Sequence, residues 1–457
     1  MKKVFVLDTN VLISDPFAFK RMGEHDVDIP LPVIEELDGL KGRGDSVAAS
    51  ARQVAANLDP YLGPDLYNGG VSLGPGKGKL SISIVKGLHP EVKKMFKKDI
   101  PDNWIISAAM SLKDKISREE NKTRKKKVAS TSVIFVSNDT DLRFKAGALG
   151  LDVEKYRNNA IDNVDSLYSG IQTIKLDDEL VSLMFSDGKV SYGKVRKSLG
   201  DSAPEPHPYE FFEIPSTDNK TFSYFYGGNL YPITNGNKVY GSVSARNDEQ
   251  RLAMNHLLNP DIELMTLSGP AGTGKTLLAM GAAIQLLTKY DTIYEKILIT
   301  KPAIALSGRD PGALPGDKFE KVMPYMMSLY DNIDFLTQSC KSEEKTRIER
   351  LVSDRKKFSI EVLDYIRGRT YANTILIVDE AQNLTQLDMK SLVTRMGDNS
   401  KLICTGDIWQ IDHKYLDSTN NGLTHLIENA KNYAKAGHID LIKGERSALA
   451  EWAAKNL

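Results

Sequence analysis

Residues 4–7, VFVL, are apolar without alternation, and the run is closed by Asp8 and, two places on, by Asn10. Unbroken apolar stretches of this length predict a strand buried on both faces. Further short apolar runs occur in VDIPL, SVIFVS and LDVEKY, and between these runs PVIEELDGL, NWIISAAMSL and DLRFKAGALG carry helical spacing. Residues 1–160 therefore read as a βαβα chain, a parallel sheet with helices on its faces. Two segments interrupt the rhythm: the Gly-rich GPDLYNGGVSLGPGKGK and the charged KDKISREENKTRKKK, the latter read as an exposed loop or helix end.

From 161 to 240 the pattern shortens. VSLMF, KVSYGKV, EFFEI and TFSYFYGGNLYPI are separated by SDG, STDN, GG and NGN, which predicts the hairpins of a small β module. From 241 to 457 the βα rhythm resumes with IELMTLS, a long helix, KILIT, a Gly/Pro-rich loop, NTILIV, KLICT and HIDLI. The predicted class is α/β, in two α/β domains joined by the β module.

Composition narrows this only slightly. A chain of 457 residues exceeds one ordinary core. Lys plus Arg and Asp plus Glu number 60 each, so a polyanion must be held by local basic patches. Cys340 and Cys404 form no Cys-x-x-Cys pair, and no His-Glu-x-x-His occurs, so zinc and disulfide frameworks have no support. The apolar opening stops at Asp8, short of a secretion signal, and no run is long enough to span a membrane. A reducing, cytoplasmic setting is the expectation.

SGPAGTGKT at 268–276 has the spacing of a phosphate loop between an apolar strand and a helix start. Its Gly269, Gly272, Thr273 and Gly274 are expected to turn backbone N–H groups toward phosphates. Lys275 is expected to reach the β- and γ-phosphates of ATP, and the Thr276 hydroxyl to ligate Mg²⁺. NTILIVDEAQ then ends a strand in Asp379, expected to hold the metal through its water shell, and Glu380, expected to polarise the attacking water.

KLICTGDIWQID, with Gln410, resembles the γ-phosphate-sensing motif of superfamily 1 helicases, and Gln250 of ARNDEQ stands where those proteins read adenine. From 241 onward the chain is similar to the PhoH family of ATPases, through EQRLA, GPAGTGKT, ITKPAIALSG, ALPGDKFEK, IRGR, IVDEAQN, TGDIWQID and GERS in that order. The resemblance implies one RecA-like domain that assembles into a homo-oligomeric ring, expected as a hexamer. One lobe needs a cation from its own last strand or from a neighbour to neutralise transition-state charge. Arg446 of LIKGERS is the first candidate and Arg369 of IRGRT the second.

The acids of the first domain fall near expected strand ends or helix starts: Asp8, Glu36, Asp102, Asp139 and Asp141. In a parallel sheet those positions share one edge, and clustered carboxylates are neutralised by Mg²⁺ or Mn²⁺. Each acid alone reads equally as a helix cap. An aspartyl-nucleophile phosphatase also begins with an apolar strand and Asp, but it needs a second acid where this chain has Asn10.

Through VLDTNVLISDP, VIEELDGLK, PDNWIISAA and VSNDTDLRFKAGALGL, residues 1–160 resemble the PIN-domain ribonucleases. The resemblance implies metal ligation and catalysis by the five acids, with Asn10 and Ser137 in support and Glu35 as the neighbour alternative to Glu36. The implied reaction is phosphodiester hydrolysis by metal-bound water.

For the nucleic acid, the sequence offers Lys93, Lys94, Lys97 and Lys98 on one expected helical face, opposite Val92, Met95 and Phe96. It also offers the RKKK run at 124–127, aromatics of the β module from Phe211 to Tyr231, and the loop after KILIT with Arg309 and Lys318. The combined expectation is an ATP-dependent RNA helicase or translocase coupled to a metal-dependent ribonuclease for single-stranded RNA. The alternatives are an RNA-binding ATPase switch with a non-cleaving PIN domain, and a DNA-processing motor.

Overall fold

The computed structural model describes residues 2–42, 46–122, 131–156, 167–216, 220–234, 238–239, 243–302, 318–363, 368–413 and 415–445. The chain divides into two compact units: residues 1–162 with 414–420, and 163–413 with 421–457.

The first unit is built on strands β1 (Lys3–Leu7), β2 (Asp26–Pro30), β3 (Val71–Ser72), β4 (Lys79–Ser83), β5 (Ser132–Val136) and β6 (Asp152–Glu154) in the order β3-β4-β2-β1-β5-β6. All pairings are parallel except that of β3, which closes one edge antiparallel. β1 is central, so both of its faces are covered, and Val6, Leu7, Val11 and Ile13 lie in one core with Phe135, Ile105 and Ile106. Leu7 pairs with Val136, so the residues that follow, Asp8 and Ser137, emerge side by side at one sheet edge. Within this unit, Lys155 holds residues 414–420 through Asp417, at 3.1 Å, and through the Thr419 hydroxyl.

The second unit contains two sheets. β7 (Ile171–Thr173), β8 (Val190–Ser191), β9 (Phe211–Pro215), β10 (Lys220–Tyr226) and β11 (Asn229–Pro232) form the order β7-β9-β10-β11-β8. A short ribbon, β12 (Lys238–Val239) with β13 (Val243–Ser244), follows. The larger sheet is fully parallel, with β14 (Leu264–Ser268), β15 (Lys296–Lys301), β16 (Phe358–Val362), β17 (Thr374–Val378), β18 (Lys401–Gly406) and β19 (Ala436–Asp440) in the order β16-β15-β17-β18-β14-β19. Phe211 and Phe222 of the smaller sheet share a core with Leu252, Leu257, Met265 and Leu278.

Four readings of the sequence change. VSLMF is helical within Asp178–Ser186: Met184 is buried, Leu180, Val181 and Leu183 pack beside it, and Asp178 and Glu179 favour the positive helix start. KVSYGKV gives only the two-residue β8 before the helix Tyr192–Leu199, which buries Tyr192 and Val195 at i, i+3. The hairpin module is thus an α+β layer. FSIEV forms an edge strand, β16, not foreseen although Phe358, Ile360 and Val362 alternate with Ser359 and Glu361 as in a strand with one polar face. The basic helix stops at Met95, where Phe96 turns extended, so Lys97 and Lys98 lie beyond it and Met95 is exposed.

The sequence shows no sign that Lys401 is fully buried. Its ammonium sits past the C-terminal end of the helix Asp248–Leu257 and donates to the carbonyls of Asn259 at 2.8 Å and Ile262 at 2.6 Å, reaching that of His256 at 3.5 Å. Burial pushes its pKa down to about 7, and three converging carbonyls oppose that by rewarding the charged form. Lys401→Met leaves these acceptors dry. The expected loss is about 2–3 kcal/mol of stability, read as an earlier transition of the second unit in denaturant titration.

Candidate active sites

Asp8 caps the helix Thr9–Ser14 and is 3% exposed. One carboxylate oxygen accepts from the Thr9 N–H and the other from the Ser137 hydroxyl, both at 2.7 Å. Ser137 is in turn fixed by Asn10, whose Nδ2 donates to its Oγ at 3.3 Å and whose Oδ1 accepts from the Asn138 N–H. Burial pushes the Asp8 pKa up to about 7, against the two hydrogen bonds, and the carboxylates of Glu36 and Asp102 push it further the same way. These three acids thus act on one another from three separate parts of the chain. Glu36 reaches into the group from the helix Leu31–Leu40 and accepts from the Thr9 hydroxyl. Asp102, in the first turn of the helix Pro101–Lys122, pairs with Lys145 at 3.1 Å.

The other two acids do different work. Asp139 caps the helix Thr140–Ala148 by accepting from the N–H groups of Asp141 and Leu142, and Asp141 is exposed in that helix's first turn. Among the described residues no three His, Cys, Asp or Glu side chains are already gathered as a metal cage. The donor set nevertheless suits a hard cation: Asp8, Glu36 and Asp102 offer only oxygen, and Asp8 has no cationic partner among the described residues.

In the second unit the phosphate loop joins β14 to the helix Lys275–Lys289. Gly269 has φ +138°, and a Cβ there meets the Leu441 carbonyl oxygen at 2.0 Å, so close packing against the end of β19 demands glycine. Lys275 is folded back onto its own loop, donating to the carbonyls of Gly269 at 2.6 Å and Pro270 at 2.9 Å. The Thr276 hydroxyl donates to Asp379 at 2.8 Å, and the Thr405 hydroxyl donates to the same oxygen at 2.6 Å. A cleft of about 240 Å³ is lined by Gly272, Gly274, Lys275, Thr276, Glu380 and Gln410, with Asp379 and Asp407 beside them. Gln250 is spent on the loop itself: Nε2 donates to the Thr273 carbonyl at 3.0 Å and Oε1 accepts from the Arg246 N–H.

The residue that sequence reasoning missed is Gln382. It is buried, its Nε2 donates to Glu380 at 2.6 Å and to the Gln410 carbonyl at 2.8 Å, and its Oε1 accepts from the Asp407 N–H. It ties the acid after β17 to the turn after β18. Glu380 itself is held at φ +53°, a costly backbone for a side chain with a Cβ, which Gln382 and Lys301 at 3.7 Å pin in place. The signal was present in DEAQ, three residues past Asp379, but an amide carries no chemistry visible without its partners.

Arg446 and Arg309 lie outside the described residues, as do the RKKK run and the Lys318 side chain. Arg369 is exposed and 3.7 Å from Glu361. Of the module's aromatics, Phe211, Phe212 and Phe222 are core, while Tyr224 and Tyr226 stack on buried Tyr209, and Tyr226 is 42% exposed. Among the described residues no helix is long and apolar enough to cross a membrane.

Residues 5–157 match the family model for the PIN domain, and residues 242–456 that for PhoH-like protein. Protein PhoH2 of Bacillus subtilis (strain 168) is 35% identical over 458 residues, covering 99% of each chain. Protein PhoH2 of Mycolicibacterium smegmatis is 28% identical over 449 residues, 98% of this chain and 95% of that one. The crystal structure of Pif1 helicase from Candida albicans aligns to 44% of this chain and 40% of its own, with 15% identity and a TM-score of 0.24, too slight an overlap to bear on the fold. With a close match along its whole length and both domain models in the same order, the chain belongs to the PhoH2 family, a PIN domain followed by a PhoH-like ATPase domain.

Proposed function

We propose that this protein hydrolyses ATP to move or unwind RNA and cuts the exposed single strand at the Asp8 cluster. The observation that carries the nuclease half is Asp8, buried at the end of β1 and held by Ser137 and the Thr9 N–H, with Glu36 bonded to the neighbouring Thr9 hydroxyl. Together with Asp102 these acids are stable as three anions only with a cation among them. Asp8, Glu36 and Asp102 would hold Mg²⁺ or Mn²⁺, with Asp139 and Asp141 as further ligands. When bound, the ion supplies a water of lowered pKa and stabilises charge on the phosphate. Ser137 and the Thr9 N–H hold Asp8 in one orientation, and Asn10 holds Ser137.

In the ATPase half, an entering triphosphate competes with the Gly269 and Pro270 carbonyls for the Lys275 ammonium. Thr276, and Asp379 through the water shell, would hold the Mg²⁺ that accompanies ATP, and Glu380 would orient the attacking water. Gln382 links Glu380 to Gln410, so the group that positions water and the group that senses the γ-phosphate shift together. A transition-state cation comes from Arg446 or Arg369, in the same chain or from a neighbour in a hexameric ring.

A second reading has its own observation: Lys145 already neutralises Asp102, as in a PIN domain that docks RNA without cutting it. Variants separate the two. On single-stranded RNA with Mg²⁺ or Mn²⁺, Asp8→Asn abolishes cutting and leaves ATP turnover intact, whereas Lys275→Ala lowers ATP turnover a hundredfold or more, on the order of other lost phosphate clamps, and leaves cutting intact. Wild-type cutting by the Asp8→Asn protein rejects the nuclease assignment. Gln382→Ala is expected to lower kcat for ATP about tenfold with little change in KM, because the loss falls on positioning rather than binding.

Metal linkage gives a pH signature. Asp8 titrates near 7 when folded and near 3.8 when unfolded, so the folded state binds the extra proton between those values. Its contribution to stability is full below pH 3.8 and is lost as the pH rises through about 7. Buried Asp28, raised to about 6, acts in the same direction. The metal-free protein should melt earlier at pH 8 than at pH 5, and Mn²⁺ should raise the midpoint more at pH 8. Asp8→Asn should flatten both trends in a thermal-shift series.

A further inference from the structure

The nuclease unit carries a second cavity, of about 580 Å³, beside the carboxylates. It lies between the N-terminal turns of the two helices that supply Glu36 and Asp102. One wall is Leu31 and Pro32, and the facing wall is Ile100, Pro101 and Trp104, with Val85 between them. Glu36 belongs to the lining, so the cavity adjoins the carboxylates through that residue, and Pro101 and Trp104 come from the helix turn that also carries Asp102.

The chemistry of the lining is selective. Its polar members are Glu35, Glu36 and Asp99, and among the described residues no cation lines it, so it repels phosphate and attracts hydrogen-bond donors on an uncharged, flat, apolar body. Trp104 is half-buried and its indole N–H donates to Asp99, which fixes the ring. Glu35 is exposed and is engaged by no other described side chain. Aromatic walls with edge acceptors are how proteins seat unpaired bases. Carboxylates accept from base amino groups, and guanine alone sets an N1–H and an N2–H side by side to match both oxygens of one carboxylate. Uracil offers a single N–H between two carbonyls that a carboxylate repels.

Resting on the nuclease reading above, we infer that this cavity seats an unpaired base next to the scissile phosphate, preferring guanine and disfavouring uracil, with Trp104 as the stacking wall and Glu35 as the edge reader. The position of the cut along the strand then follows the position of that base, at a fixed offset. Trp104 and Glu35 act as specificity residues, since neither touches the phosphate.

The test uses the full chain with Mn²⁺ and short uridine strands carrying one guanosine, adenosine or cytidine at a scanned position. The expected kcat/KM is about tenfold higher for the guanosine strand than for the all-uridine strand, with the cut moving in step with the guanosine. Trp104→Ala and Glu35→Gln bring that ratio close to one. Uniform cutting that ignores the inserted base overturns the inference while leaving the nuclease intact.

Binding is measured separately in the Asp8→Asn protein, as the tryptophan fluorescence it loses relative to Asp8→Asn/Trp104→Phe when each strand is added. Stronger quenching by the guanosine strand supports the cavity even if no strand is ever cut, in which case only the nuclease reading falls. Equal quenching by guanosine and uridine strands, or none by either, overturns the inference.

Discussion

Each unit turns on a carboxylate placed at the C-terminal end of a central parallel strand, where water scarcely reaches it. Burying such a group is costly unless its oxygens are bonded or its charge is met. Asp8 is met by a hydroxyl and one backbone N–H, which does not suffice, and its pKa climbs to about 7. Asp379 is met by the hydroxyls of Thr276 and Thr405 on a single oxygen. The two six-stranded sheets differ in connection and sequence, yet each delivers its acid through the same geometry: apolar residues on both faces of the strand, then a charge where the strand stops. In the proposed function a cation would complete either arrangement.

The phosphate loop is braced by residues of its own and of the preceding helix. Lys275 spends its ammonium on carbonyls of the loop it belongs to, and Gln250 anchors the same loop from the helix beneath. Both interactions are local and replaceable. In the proposed ATPase reading Lys275 would exchange these carbonyls for phosphate oxygens at little net loss of hydrogen bonds, while the Gln250 bond to Thr273 is kept. Gln382 extends the same logic to the γ-phosphate end, where Glu380 is held in a strained backbone that only a fixed neighbour sustains.

Much of this was legible in the sequence, for identifiable reasons. VFVL, SVIFV, TILIV and KLICT are strands because central parallel strands are apolar on both faces, and that pattern has few alternatives. The phosphate loop was legible because glycine spacing is a backbone requirement. The five acids could be named, but not sorted: only burial and neighbours distinguish Asp8, Glu36 and Asp102, which share a field, from Asp139, which caps a helix, and Asp141, which faces solvent. Ser137 donates to Asp8, and Asn10 donates to Ser137. The burial of Lys401 was not legible, because charge pattern cannot reveal three backbone carbonyls converging from a distant segment. VSLMF read as a strand because five residues do not separate a two-residue period from a helical one.

The central claim is that a motor and a nuclease in one chain act in sequence on the same RNA. Its most direct measurement is the rate of cutting of one target segment presented either as a free strand or paired within a hairpin, with and without ATP. The account predicts that ATP accelerates cutting of the paired segment and leaves the free strand unaffected. Equal cutting of both forms whether or not ATP is present, by a protein that turns over ATP normally, contradicts it.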